Sequence, residues 1–117
     1  MIRTVIIDDE PHATKSLEIL LSEDCPQIQV IASFNHPAEA LIFLRSNQID
    51  LIFLDINMPV MNGWEFLEAL SEDPFPYRLS IHLLTSSVDL ADKSKAQSSR
   101  MVLSYIVKPL TRAVLAD

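Results

Sequence analysis

Asp55 ends the apolar run Leu51-Ile52-Phe53-Leu54, where a charge is out of place unless it does something. A carboxylate there is either a chemical group or a helix-entry cap. Matching chemistry stands at three other run ends. Asp8, Asp9 and Glu10 follow Val5-Ile6-Ile7, Thr85 follows Leu83-Leu84, and Lys108 follows Ile106-Val107. Two carboxylates about 4 Å apart repel by roughly 4 kcal/mol at an effective dielectric near 20. If Asp8, Asp9 and Asp55 converge, a cation, a proton or open water must offset that repulsion. Hard oxygen ligands at a partly open site suit Mg2+, which keeps several waters and commonly bridges to a phosphoryl oxygen. With the Lys108 ammonium and the Thr85 hydroxyl added, three equatorial phosphoryl oxygens can be stabilised. Asp55 is then the nucleophile that forms an acyl phosphate.

Each residue also has a plainer use when taken alone. An Asp-Asp pair after a strand commonly caps a helix, a threonine caps as well, and a lysine decorates a surface. Asp55 resists this reading, because Met58-Pro59 follows it rather than an immediate helix. Asn62-Gly63 reads as a flexible turn and helix entry, which accounts for the position of the only glycine.

The elements that must bring these residues together alternate along the chain. Arg3 to Ile7 reads as a buried strand, and Ala13, Leu17, Leu20 and Leu21 then share one helical face. A second strand runs from Ile28 to Phe34, with a helix from about Pro37, where proline in the first turn costs little. The third strand, Leu51 to Asp55, precedes a helix marked by Phe66, Leu67 and Leu70. The fourth strand is Ser80 to Thr85, with a helix over 90–98, and the fifth lies at 104–107, with a last helix near Thr111. This (βα)5 alternation predicts an α/β fold with a parallel sheet covered on both faces by right-handed crossovers. Ligands of such sheets bind outside the carboxyl ends of the strands, where all the residues singled out above belong.

The bulk properties fit one domain spanning residues 1–117, with 49% hydrophobic residues and enough chain for a single core. The single cysteine, Cys25, cannot form an internal disulfide, which suits a reducing cytoplasm. No apolar run approaches the roughly 18 residues of a membrane span, and no signal-peptide pattern opens the chain. The net charge of −7 argues against direct binding to nucleic acid. Basic side chains nevertheless gather toward the C-terminus, at Lys93, Lys95, Arg100, Lys108 and Arg112, which points to a functional face.

The segments VIIDDEP, LIFLDINMPVMNG, HLLTSS and SYIVKPL, in this order, resemble the receiver domains of two-component response regulators, and the resemblance covers essentially the whole chain. It implies a doubly wound, flavodoxin-like fold with strand order 2-1-3-4-5. It implies Asp55 as phosphoacceptor, Asp8 and Asp9 as Mg2+-site acids, and a Mg2+-binding backbone carbonyl at Asn57. Thr85 matches the switch hydroxyl, Lys108 the phosphoryl-binding lysine, and Tyr105 the aromatic switch on the fifth strand. By the same resemblance, Lys108-Pro109 would carry a cis peptide. The implied partners are a histidine kinase or phosphotransfer protein. A homodimer or effector would bind the face of the fourth helix, fifth strand and last helix. Such a domain catalyses only its own phosphorylation and dephosphorylation. Ser86 departs from the Ala or Gly common after the switch hydroxyl, which bears on acyl-phosphate lifetime. The last helix is shorter than the family's usual one, so the chain reads either as trimmed from a larger protein or as complete with a frayed end.

Two other readings use overlapping residues. A haloacid-dehalogenase-type hydrolase also needs an Asp after a strand, Mg2+, a Ser or Thr and a Lys. Its second Asp, two residues after the nucleophile, is here Asn57, which cannot act as a general acid. A flavodoxin-like FMN site would meet repulsion from Asp8-Asp9-Glu10. His12, His36 and His82 lack metal-ligand spacing. His82 reads as a packed strand residue, and His12 as a neighbour able to modulate access. Trp64, Met58 and Met61 read as packing residues, and Cys25 as an unactivated thiol.

Overall fold

The computed structural model describes residues 1–58, 61–72, 79–85 and 102–107. In chain order the elements are β1 (Ile2–Ile7), α1 (Pro11–Asp24), β2 (Ile28–Phe34), α2 (Pro37–Ser46), β3 (Leu51–Asp55), α3 (Gly63–Glu72), β4 (Ser80–Thr85) and β5 (Val102–Val107). The strands form one parallel sheet of order β2-β1-β3-β4-β5, as the resemblance implied. The helices expected over 90–98 and from Thr111 lie outside the described residues.

The apolar runs become strands buried on both faces because helices cover both sides of the sheet. β3 shows this most fully, being buried at every position from Leu51 to Asp55. Strand alternation divides its neighbours between two cores. Val5, Ile7, Ile52, Leu54, Ile81 and Leu83 pack with Ala40 and Leu44 of α2 and with Phe66, Leu67 and Leu70 of α3. Ile6, Leu51, Phe53 and Leu84 pack with Leu17 and Leu21 of α1.

The buried stripe of α1 differs from the apolar pattern of the sequence. Thr14, Leu17 and Leu21 are buried, while Ala13 and Leu20 are only half-buried. Thr14 tolerates burial because its hydroxyl donates to the Pro11 carbonyl at 2.8 Å, satisfying the polar group within its own turn. β5 also begins earlier than the sequence suggests, at Val102, through its pairing with Ile81.

α3 has a well-defined start. The Asn62 N–H donates to Glu65 Oε1 at 3.1 Å, and the Glu65 N–H donates to Asn62 Oδ1 at 2.9 Å. This reciprocal pair satisfies amides that the helix itself leaves open. Gly63 follows, and its role corrects the flexible-turn expectation. A Cβ at Gly63 would lie 2.5 Å from Ile56 Cγ2 and 2.7 Å from Ile56 Cα. The glycine therefore permits close approach of helix and strand end rather than an unusual backbone angle.

At the opposite end of the sheet, Asp50 aligns three strands. Its carboxylate accepts the Arg3 N–H at 2.9 Å, its own N–H donates to the Arg3 carbonyl at 2.8 Å, and its carbonyl accepts the Ser80 N–H at 3.0 Å. This sets the mutual heights of β1, β3 and β4, and hence which residues meet at their carboxyl ends.

Candidate functional site

β1 and β3 pair in register, with Ile7 opposite Leu54, so the next pair along is Asp8 and Asp55. Both are nearly excluded from solvent, at 2% and 3% exposure. Asp8 is fixed from three directions. Its N–H donates to the Phe34 carbonyl at 3.0 Å, its carbonyl accepts Asn35 Nδ2 at 2.8 Å, and its Oδ1 accepts the Glu10 N–H at 3.0 Å. Asp55 Oδ1 accepts the Asn57 N–H at 3.0 Å. The adjoining backbone is tied down as well: the Ile56 N–H donates to Leu84 O at 3.0 Å, and the Gly63 N–H to Ile56 O at 3.2 Å.

The helix-cap alternative for the Asp8-Asp9 pair does not hold. Glu10 occupies the N-cap position of α1, Pro11 opens the helix, and no side chain caps it. Carboxylate oxygens of Asp8, Asp9 and Asp55 instead lie within 4.8 Å of one another, with Asp9 on the exposed side. They face a cleft of about 540 Å³, lined also by Glu10, His12 and Asn57. Three hard anionic oxygens, two anchored and one open to water, fit the demands of a Mg2+ ion that keeps part of its hydration. His12 stands on the cleft, as its place in the sequence suggested. Asn35 was not singled out from sequence, because its contact with Asp8 crosses 27 positions. Ser16, one helical turn beyond His12, also lines the cleft and carried no signal of its own.

Thr85 ends β4 fully buried, and its hydroxyl donates to Asn57 Oδ1 at 2.9 Å. On the neighbouring strand, Val107 pairs with Thr85 and Tyr105 with Leu83, so Tyr105 lies one pleat below Thr85 on the same face. The Tyr105 ring is half-buried against the core that includes Leu83. Its hydroxyl is buried with no hydrogen-bond partner among the described residues. Lys108, Pro109 and Ser86 lie outside the described residues, as do Lys93, Lys95, Arg100 and Arg112.

Residues set aside from the sequence fall away from the cleft. The His82 ring lies 5.2 Å from that of Phe53, and burial holds its pKa below the ordinary histidine value. Cys25 is buried, and desolvation, with a smaller contribution from Asp24, raises its pKa, which favours an unreactive thiol. Trp64 packs partly buried against the α3 side of the core. No helix among the described residues is long and apolar enough to cross a membrane.

Known proteins give the same picture. A sequence profile described as "Response regulator receiver domain" matches residues 4–117. The transcriptional regulatory protein BtsR of Escherichia coli (strain K12) is 30% identical over 115 residues, covering 98% of this chain and 45% of that protein. A protein-glutamate methylesterase/protein-glutamine glutaminase of Methanospirillum hungatei is 36% identical over 110 residues, which is 93% of this chain and 31% of that protein. The chain thus spans less than half the length of these curated relatives. Among solved structures, a two component response regulator from Cytophaga hutchinsonii superposes with a TM-score of 0.86 at 27% identity, covering 97% of this chain and 90% of that one. A response regulator receiver protein from Dyadobacter fermentans gives 0.84 at 27% identity, covering 98% and 92%. These matches lend no support to the hydrolase alternative. By sequence and by fold, the chain belongs to the receiver domains of two-component response regulators.

Proposed function

We propose that Asp55 accepts a phosphoryl group from a histidine kinase or phosphotransfer protein, and that the resulting charge alters a surface read by an effector or a second copy. The observation that carries this reading is the convergence of Asp8, Asp9 and Asp55 on one open cleft. Three like charges held this close oppose folding unless a cation, a proton or open water offsets them, and their hard oxygens suit a cation.

Asp8, Asp9, Asp55 and the Asn57 carbonyl would hold Mg2+, which supplies positive charge to balance the phosphoryl oxygens. Asn57, through its N–H on Asp55 Oδ1, fixes the plane of the attacking carboxylate. A carboxylate oxygen of Asp55 bonds to phosphorus as the phosphorus–nitrogen bond of a phosphoimidazole breaks. The bonding pair returns to the imidazole nitrogen, which takes up a proton from water. Lys108, next in the chain after the end of β5, would neutralise a further phosphoryl oxygen. The role of Thr85 is to donate its hydroxyl to the phosphoryl group, with Tyr105 repacking beside it. The output face would comprise β5 and the segments over 90–98 and from Thr111, where the basic side chains gather. The domain turns over no outside metabolite in this reading, and it works in the cytoplasm.

Intact-mass measurement after incubation with acetyl phosphate and Mg2+ tests the assignment. One base-labile phosphoryl adduct is expected on the parent and none on Asp55→Asn, whose amide is a poor nucleophile. An adduct that survives in the variant places the acceptor elsewhere.

A further inference from the structure

Asn57 touches two parts of the site at once. Its backbone N–H donates to Asp55 Oδ1 at 3.0 Å, while its side-chain Oδ1 accepts the Thr85 hydroxyl at 2.9 Å. Thr85 is wholly buried and Asn57 exposed, so the bond joins an interior hydroxyl to a residue at the rim of the cleft. A buried hydroxyl without a partner is costly, and Asn57 provides one before any phosphoryl group is present.

We propose that the Asn57 side chain is a resting-state latch on Thr85, a positioning residue that sets how readily the switch responds. The proposal rests on the phosphoacceptor reading above and adds a threshold to it. While Thr85 donates to Asn57, its single proton is engaged. A phosphoryl group on Asp55 brings about −1.5 to −2 charge and three acceptor oxygens. Hydrogen bonds to ionised acceptors are about twice as strong as neutral ones, so Thr85 exchanges a neutral amide acceptor for an anionic one. The gain on exchange is reduced by the strength of the latch.

The test uses the whole chain and two measurements. In the ligand-free protein, three-bond couplings to the Thr85 methyl carbon report its side-chain rotamer. A single rotamer is expected in the parent and in Asn57→Asp, which keeps an acceptor oxygen, and averaging in Asn57→Ala. An unchanged rotamer in Asn57→Ala overturns the latch. The second measurement titrates beryllofluoride, a phosphoryl mimic, with Mg2+ present. Asn57→Ala should lower the midpoint about three- to tenfold, the worth of one neutral hydrogen bond. In a Thr85→Val background the same substitution should leave the midpoint unchanged. An equal shift in both backgrounds, or none in either, overturns the proposal. A parent that binds no beryllofluoride defeats the phosphoacceptor reading instead, and the rotamer comparison still decides the latch.

Discussion

Asp8 and Asp55 fold their carboxylates back in the same way, each accepting at 3.0 Å the backbone N–H two residues further on, that of Glu10 and of Asn57 respectively. Because β1 and β3 are adjacent and in register, these twin turns hold two like charges side by side. Neither can swing away without losing a local hydrogen bond. The crowding of acidic groups is built into the sheet, and Asp9 adds a third from the exposed side.

Asp9→Ala should therefore raise the melting temperature of the metal-free protein while shrinking the rise that Mg2+ produces, since repulsion and ligand are lost together. Thermal scans with and without Mg2+ check both. A variant that gains as much from Mg2+ as the parent removes Asp9 from the ligand set.

Gly63→Ala sets two effects against each other. Alanine is a better helix former than glycine, by about 1 kcal/mol in a helix interior and by less at this first helical position, and here its Cβ would meet Ile56 Cα at 2.7 Å. Backbone cannot yield as a side-chain tip can, so the clash wins. The expected cost is about 1–3 kcal/mol, read as a lower denaturant midpoint with an unchanged slope. A stabilised variant would mean that α3 slides freely on the end of β3.

His82 gives the fold a response to mild acid. Its folded pKa lies below the ordinary 6.5 because burial disfavours the imidazolium. Its contribution is thus fully present above the unfolded value and is lost as pH falls from there through the folded pKa, at no more than about 1.4 kcal/mol per pH unit. Urea melts at neutral pH and near pH 5 should differ less in His82→Gln than in the parent. Equal differences in the two proteins would assign the acid sensitivity to other groups.

Tyr105→Phe removes a buried hydroxyl that has no partner among the described residues. Stability should hold or rise by up to about 1 kcal/mol, since no hydrogen bond among the described residues is lost and a desolvation cost disappears. A loss of that size in the chemical melt would mean that the hydroxyl is bonded in solution.

The sheet was legible in the sequence because its strands are short, apolar and bounded by polar residues, as in Leu51–Asp55. The strand-end rule then placed Asp8, Asp55 and Thr85 at one edge. What escaped depends on contacts between distant positions. Thr14 looked polar and proved buried because its own turn satisfies it. The reason for Gly63 lies in Ile56, across a turn whose path no local pattern specifies. The Thr85–Asn57 bond links residues 28 positions apart, beyond any periodicity. The exchange between Asn62 and Glu65, by contrast, follows a local N-x-x-E start signal.

β3 is paired on both sides and buried throughout, whereas β2 and β5 are the outer strands. Amide exchange should accordingly be slowest along β3 and faster toward the edges, because sub-global openings begin where fewer contacts must break. Asp55 thus ends the strand expected to open most slowly, while Tyr105 sits on an outer strand. Partial opening of that strand can come and go without disturbing Asp55, so under the proposed function the reacting group would outlast the breathing of the surface that reports it.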